Sequence, residues 1–174
     1  MTQTIILGIG QEQRGDDEIG LLAVRQWQAD YGRLHPDVTA ELLTSPGLSL
    51  IDRLRGFQRG ILVDAVVGGQ PAGQLLTLDE EALLAFDLGA RSAHGWGVAE
   101  SLRIARAVLP GELPGDLRLL AVTIDPPQVG APRSEAVKAA VQPAVELLEE
   151  LLTTPLSAAV QPTSQAGIPK TSPN

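Results

Sequence analysis

Blocks of apolar residues, separated by polar turns, divide the chain into strands and helices that alternate. Continuous apolar runs rich in β-branched residues are typical of strands covered on both faces of a parallel sheet. Apolar residues at three- and four-residue spacing predict amphipathic helices between them. The predicted strands cover residues 4–7, 38–43, 60–67, 74–78 and 117–124. The predicted helices begin near Asp16 or Asp17, Ser45-Pro46, Asp79, Val98 and Ser134, the last with Pro143 as a kink or restart.

This alternation predicts an α/β fold, namely a three-layer α/β/α sandwich. Right-handed crossovers place helices on both faces of a mostly parallel, twisted sheet of about five strands. The strand at 74–78 is short and follows a glycine- and proline-rich turn, so we expect it at an edge or antiparallel. Residues 1–152 form a single predicted domain. Residues 153–174, rich in Ser, Thr, Pro, Gln and Ala, are predicted to be a disordered tail.

Composition narrows the partners and the chemistry. The net charge of −8 over 174 residues, without a Lys/Arg cluster, argues against nucleic acid and anionic membranes. The first apolar run is short and lacks a basic segment before it, so we expect a cytoplasmic protein without a membrane span. We expect a monomer with a protein or small-molecule partner. Because the chain has no cysteine, any metal ligands must be oxygen and nitrogen.

The first turn, at residues 8–20, invites a dinucleotide-binding interpretation through Gly8 and Gly10. The fingerprint needs a third glycine, and Gln13 occupies its position. The acidic pair Asp16-Asp17 at the predicted helix start would also repel a pyrophosphate. The nucleotide interpretation is therefore disfavoured.

Asp17, Asp64 and His94 are the candidate functional residues. One acidic residue at a helix start can be explained as a helix cap, but two in succession are more than a cap needs. Asp17 is therefore either a structural cap or a functional residue. Asp64 is the one charge in an apolar central strand, where a carboxylate is costly unless it is solvated, paired or bound to a cation, and the following residues offer it no local partner. His94 lies on a glycine-containing predicted loop at 87–97 and fits either an exposed loop or a ligand position.

If these three side chains converge, they form an oxygen, oxygen and nitrogen set. Such a set suits a borderline divalent metal such as Ni²⁺ or Zn²⁺, with coordination positions left for water or an incoming ligand. Spacing in sequence does not test this convergence.

Five short motifs occur together in an order that resembles the maturation endopeptidases of nickel-iron hydrogenases. They are Gly8-x-Gly10, Asp16-Asp17-x-x-Gly20, Val63-Asp64-Ala65, Pro71-x-Gly73 and Ser92-x-His94-x-x-Gly97. The resemblance covers nearly all of residues 4–152. The chain departs from the family pattern at Gln11, where most members have Asn.

The resemblance implies a specific activity and site. Asp17, Asp64 and His94 would contact nickel (Ni²⁺) already installed in a hydrogenase large-subunit precursor, and the protein would then remove a C-terminal peptide from it. Within the acidic pair we expect Asp17 to be the ligand and Asp16 the helix cap. Nickel would polarise the scissile carbonyl or activate water, or one carboxylate would act as general base, or nickel would serve recognition only. The alternative function is a nickel-dependent chaperone that inspects the precursor without cutting it.

Overall fold

The described residues contain six strands and five α-helices, which alternate except that the third and fourth strands are consecutive. The computed structural model describes residues 3–68, 70–86, 91–92 and 97–154. The strands are β1 (Thr4–Ile9), β2 (Val38–Leu43), β3 (Arg59–Val67), β4 (Leu75–Asp79), β5 (Arg91–Ser92) and β6 (Asp116–Ile124). The helices are α1 (Ile19–Asp30), α2 (Leu48–Leu54), α3 (Glu80–Phe86), α4 (Val98–Val108) and α5 (Glu135–Thr153). A single 3-10 turn, here called the acidic turn (Gly15–Glu18), precedes α1.

The sheet is mostly parallel, as the alternation of elements predicts. Its order is β2-β1-β3-β6-β4, and the two-residue β5 pairs with the end of β3. The pairs β1·β2, β1·β3 and β3·β6 are parallel, whereas β4 and β5 run antiparallel to their neighbours. The predicted three-layer fold and the predicted antiparallel edge strand are therefore confirmed.

Two apolar layers enclose the sheet. One face packs against α1 and α5, through residues such as Trp27 and Leu148. The other packs against α2, α3 and α4, through residues such as Leu50 and Leu102. Alternate residues of β3 serve the two layers, because successive side chains of a strand point to opposite faces. None of the helices in the described ranges is long and apolar enough to cross a membrane.

Local details differ from the sequence-based expectations at three places. The N-cap of α2 is Gly47, with φ 79°, rather than Ser45, whose carbonyl instead accepts a hydrogen bond from the Ser49 hydroxyl. Helix α5 is continuous through Pro143. The predicted loop at 87–97 contains β5, and apart from Thr153 and Thr154 the predicted tail lies outside the described residues.

A buried charge cluster closes the amino end of the sheet. The Nε atom of Arg59 lies 3.0 Å from Asp116 Oδ2, and the Nε atom of Arg118 lies 3.2 Å from Asp116 Oδ1. The Arg59 guanidinium also donates to the carbonyl oxygens of Leu151 and Leu152 at 2.5 and 2.9 Å, which fixes the end of α5. Burial lowers the pKa of Arg59, and Asp116 opposes that shift.

A second ion pair joins α3 to α4. The Arg106 Nε and Nη2 atoms donate to the two carboxylate oxygens of Glu80 at 2.8 and 2.6 Å. This hydrogen bonding raises the pKa of Arg106 above its ordinary value. Bidentate pairing of this kind fixes orientation as well as distance. The ion pair therefore fixes the position of α3 relative to α4, the two helices on either side of residues 87–97.

Replacing Arg59 by Met should lower the free energy of unfolding by about 3 kcal/mol. It removes the donor to the Leu151 and Leu152 carbonyl oxygens and leaves the half-buried Asp116 beside a single arginine. Urea denaturation measures the change. Arg25→Met is the matched control, since Arg25 pairs with Glu12 at the surface and its side chain is 49% exposed. Equal destabilisation by the two variants would contradict a structural role for the Arg59 cluster.

Candidate active site

Gly20 brings α1 directly onto the end of β1 and the middle of β3. A Cβ atom at this position would lie 2.1 Å from the Ile9 carbonyl oxygen and 2.3 Å from the Val63 carbonyl oxygen, so no side chain fits. A Cβ atom on Gly10 would lie 2.4 Å from the Asp17 carbonyl oxygen. The acidic turn therefore lies against the carboxyl end of β1 and the adjoining middle part of β3. Ligand sites of α/β sheets occur beyond the carboxyl ends of strands such as β1.

The three acidic residues of the turn have different environments. Asp16 Oδ1 accepts a hydrogen bond at 2.6 Å from the backbone N–H of Ser134, the N-cap of α5. Glu18 accepts from the backbone N–H of Gln13, and its Oε2 lies 3.9 Å from Arg133 Nε. Asp17 is 0% exposed and is the one acidic side chain of the turn that is fully buried.

The expectation that Asp16 caps its own helix is wrong. Neither the acidic turn nor α1 has a side-chain N-cap. Asp16 instead connects the turn to α5, which is far away in sequence. Pattern reasoning could not identify this partner, because a carboxylate at a helix start satisfies the local rule equally well.

The loop before the acidic turn is held in a conformation uncommon for its sequence. Gln13 has φ 64° and is the one non-glycine residue with positive φ in the described ranges. Its carbonyl accepts from the Gly130 N–H at 3.3 Å. Arg14 Nη1 donates to Gln11 Oε1 at 2.6 Å across the same loop. Glu18 and Gly130 thus restrain Gln13 from both sides, which offsets its backbone strain.

Asp64 lies where β1 stops pairing with β3. The β1·β3 ladder ends at Gly8 and Val63, and Asp64 is the next residue of β3. The acidic turn contacts β3. Asp64 is 2% exposed, and its Oδ1 accepts from the N–H of Ala65 at 2.8 Å. The following residue thus supplies a local partner through its backbone, which the sequence analysis missed.

His94 lies outside the described residues, so the structure does not test the predicted three-residue set. Within the described ranges, no group of three or more His, Cys, Asp and Glu residues is arranged to hold a metal. The residues on either side of 93–96 are placed. Ser92 pairs with Val66 of β3, and Gly97 is the N-cap of α4.

The first turn of α4 is fixed by two hydrogen bonds that the sequence analysis did not identify. The Gly97 N–H donates to Glu100 Oε2 at 2.8 Å, and the buried Ser101 hydroxyl donates to the Gly97 carbonyl at 3.1 Å. A glutamate three residues after an N-cap is one of the two positions of a capping box. The spacing of Gly97 and Glu100 could therefore have predicted this contact from the sequence.

The cleft at the other end of the sheet has different chemistry. A cavity of about 570 Å³ is lined by Arg55, Gly56, Phe57, Gln58, Gly111 and Glu112, which precede β3 and β6. It is open, and Arg55 forms an ion pair with Glu112 there. The carboxyl end of the sheet, with its buried carboxylates, is therefore the candidate active site.

The fold and the candidate site define a three-layer α/β/α protein with one buried carboxylate in the turn after β1 and another within β3, where β3 extends past β1. A solved structure with this fold is the NiFe hydrogenase maturation protease HybD from Thermococcus kodakarensis, with a TM-score of 0.70 and 25% identity over 87% of this chain and 99% of that chain.

Sequence comparison identifies the family. Hydrogenase expression/formation protein HoxM from Cupriavidus necator is 30% identical over 151 residues, 85% of this chain and 73% of HoxM. Protein FrxA from Pyrococcus furiosus is 29% identical over 138 residues, 79% of this chain and 96% of FrxA. Residues 45–151 match the family model HycI, hydrogenase maturation protease. The chain belongs to the hydrogenase maturation protease family.

Asp16→Ala should lower the free energy of unfolding by about 1 to 2 kcal/mol, because it leaves the Ser134 N–H at the start of α5 without its acceptor. Asp16→Asn should cost less, since an amide oxygen still accepts. Urea denaturation measures both variants together with the control Glu135→Ala. Glu135 is an acidic residue at the start of the same helix, and its side chain is 89% exposed. Wild-type stability of Asp16→Ala would contradict the assigned contact.

Proposed function

We propose that this protein is an endopeptidase that removes the C-terminal peptide from a nickel-loaded large-subunit precursor of a nickel-iron hydrogenase. Asp17, Asp64 and His94 contact nickel that arrives with the precursor. Membership of the hydrogenase maturation protease family supports the reaction class. The observation that carries the site is the burial of Asp17 and Asp64 where the acidic turn meets β3.

The burial of these carboxylates supports a cationic ligand. Asp17 is 0% and Asp64 2% exposed, and negative charge is costly away from water. A divalent cation offsets that cost more strongly than a neutral donor does. Asp17 is the fully buried acidic residue of the turn, whereas Asp16 and Glu18 are only partly buried, so Asp17 is the one proposed as a ligand.

The described residues around 93–96 support His94 as the third ligand. Ser92 pairs with Val66, which is two residues beyond Asp64 on β3. On the other side, Val98 and Leu102 of α4 pack in the same apolar layer as Val66. The described neighbours of residues 93–96 thus belong to elements that pair with β3 or pack in its apolar layer, which supports the proposal that His94 completes the site.

The proposed reaction is hydrolysis. Water attacks the carbonyl carbon of the scissile bond, the C–N bond breaks, and a proton passes to the departing amine nitrogen. Asp17, Asp64 and His94 would hold the nickel of the precursor, which would supply Lewis acidity at the carbonyl oxygen or at the attacking water. A carboxylate that accepts the proton of the water would serve as general base.

The reaction is tested by incubating the protein with nickel-loaded and nickel-free precursors and measuring the precursor mass. We expect shortening of the nickel-loaded precursor only. Asp17→Asn, Asp64→Asn and His94→Ala should each reduce the rate by about 100-fold or more, because each removes a group proposed to act on the reacting centre.

Asp52→Asn provides the matched control, since Asp52 is an exposed carboxylate on α2. Circular dichroism should show that all four variants are folded. If both precursors stay full-length with the wild-type protein, the protease proposal is wrong, and nickel-dependent complex formation without cleavage would indicate the chaperone alternative. Wild-type rates in Asp64→Asn and His94→Ala would remove the nickel site.

A further inference from the structure

Strand β2 forms an edge of the sheet beside the candidate site. It pairs with β1 alone within the described residues. The Gly10 N–H donates to the Leu43 carbonyl at 3.2 Å, so the peptide groups of Leu43 face β1. The N–H and C=O groups of a strand residue point to one side and those of the next residue to the other. Ala40 and Leu42 therefore direct their N–H and C=O groups away from β1.

This edge lacks the features that usually block pairing with another chain. Natural edge strands are commonly protected by lysine, proline or a bulge. The sequence of β2, VTAELL, contains neither lysine nor proline, and its register with β1 is continuous from Val38 to Leu43. Its one charged residue, Glu41, forms an ion pair with Arg53 of α2. The Val38 N–H is occupied by the His35 carbonyl at 3.1 Å, so the accessible part of the edge begins at Ala40.

The accessible part of the edge ends level with the candidate site. Leu42 is in register with Gly8, and Gly8 with Val63, the residue before Asp64. Neighbouring strands lie about 4.8 Å apart, so a strand added outside β2 would lie about 14 Å from β3. About four residues of extended chain, at about 3.3 Å each, cover this distance.

Exposed apolar side chains accompany this edge. Leu42 is 37% exposed and Leu48, at the start of α2, is 69% exposed. The apolar residues of the opposite edge strand, Leu75, Leu76 and Leu78, are half-buried. An added strand on β2 would therefore gain apolar contacts as well as backbone hydrogen bonds, the combination found where peptides bind sheet edges.

We propose that β2 binds the precursor: an extended segment of the large subunit, about four residues from the scissile bond, adds as a strand on the outer side of β2. This inference rests on the proposed function, because the site gives the segment its position. The backbone edge supplies binding and the carboxyl end of the sheet supplies cleavage. An extended segment is also the form in which the scissile bond can reach the buried carboxylates.

Leu42→Pro tests the inference, because it removes an outward N–H while leaving the β1·β2 hydrogen bonds in place. We expect KM for the nickel-loaded precursor to rise about tenfold or more with little change in kcat. Leu42→Ala keeps the N–H and should raise KM less. Thr77→Pro is the matched control: Thr123 N–H donates to the Gln74 carbonyl, so Thr77 faces outward on the opposite edge, and its KM should stay at the wild-type value.

If Leu42→Pro does not fold, amide hydrogen exchange measured by NMR on the wild-type protein tests the inference instead. An excess of nickel-free precursor should slow exchange at Ala40 and Leu42 at least fivefold, without slowing it at Thr77. Unchanged exchange, or an unchanged KM in folded Leu42→Pro, would overturn the inference while wild-type cleavage upheld the protease proposal. Protection without precursor, in a protein that sediments as a dimer, would assign the edge to a second copy and overturn it as well.

Discussion

The contact between Gly20 and the carbonyl oxygens of Ile9 and Val63 determines where the acidic turn can lie. Helix α1 approaches the end of β1 and the middle of β3 more closely than any side chain would permit. The preceding residues must therefore turn over the sheet edge rather than away from it. Asp17 is buried beside β3 as a result, and Asp16 and Glu18 are left to meet the loop before α5.

The two ends of the sheet differ in how the charge of their carboxylates is compensated. At the amino end, Asp116 lies between Arg59 and Arg118, and the Arg59 guanidinium also satisfies carbonyl oxygens at the end of α5. The negative charge is compensated within the protein. At the carboxyl end the buried carboxylates belong to two separate elements, the acidic turn and β3. In the proposed mechanism, their compensation includes the nickel of the precursor, so the full site forms only with the correct substrate.

Most of the fold could be predicted because the strands are continuous apolar runs. The bounds of β2 match the predicted residues, and α4 begins at the predicted Val98. Strands β3 and β6 begin one residue earlier than predicted, and β4 is shifted by one residue at both ends. The cap of α2 was mispredicted because Ser45-Pro46 satisfies local preferences, whereas the chain turns two residues later at Gly47. Local preference is a weak constraint where the turn must also join a strand to a packed helix.

The candidate site was less accessible to sequence reasoning. Asp17 and Asp64 could be singled out because charge stood beside apolar runs. The hydrogen bond from Ser134 to Asp16 spans 118 residues and has no local signal. The Ala65 N–H that binds Asp64 belongs to the backbone and is the same for nearly every sequence. Partners of this kind follow from tertiary packing, and the position of His94 stays a prediction.

Edge pairing and nickel contact would act together in choosing the substrate. A hydrogen bond contributes roughly 0.5–1.5 kcal/mol net, so a strand that pairs through Ala40 and Leu42 alone binds weakly. Once the segment is paired, the nickel site lies within a few residues, and the second contact becomes intramolecular at a high effective concentration. Precursors without nickel would then dissociate before cleavage, whereas loaded precursors would gain both contacts. In this proposal the edge strand and the buried carboxylates act as one recognition system, in which neither contact alone is sufficient.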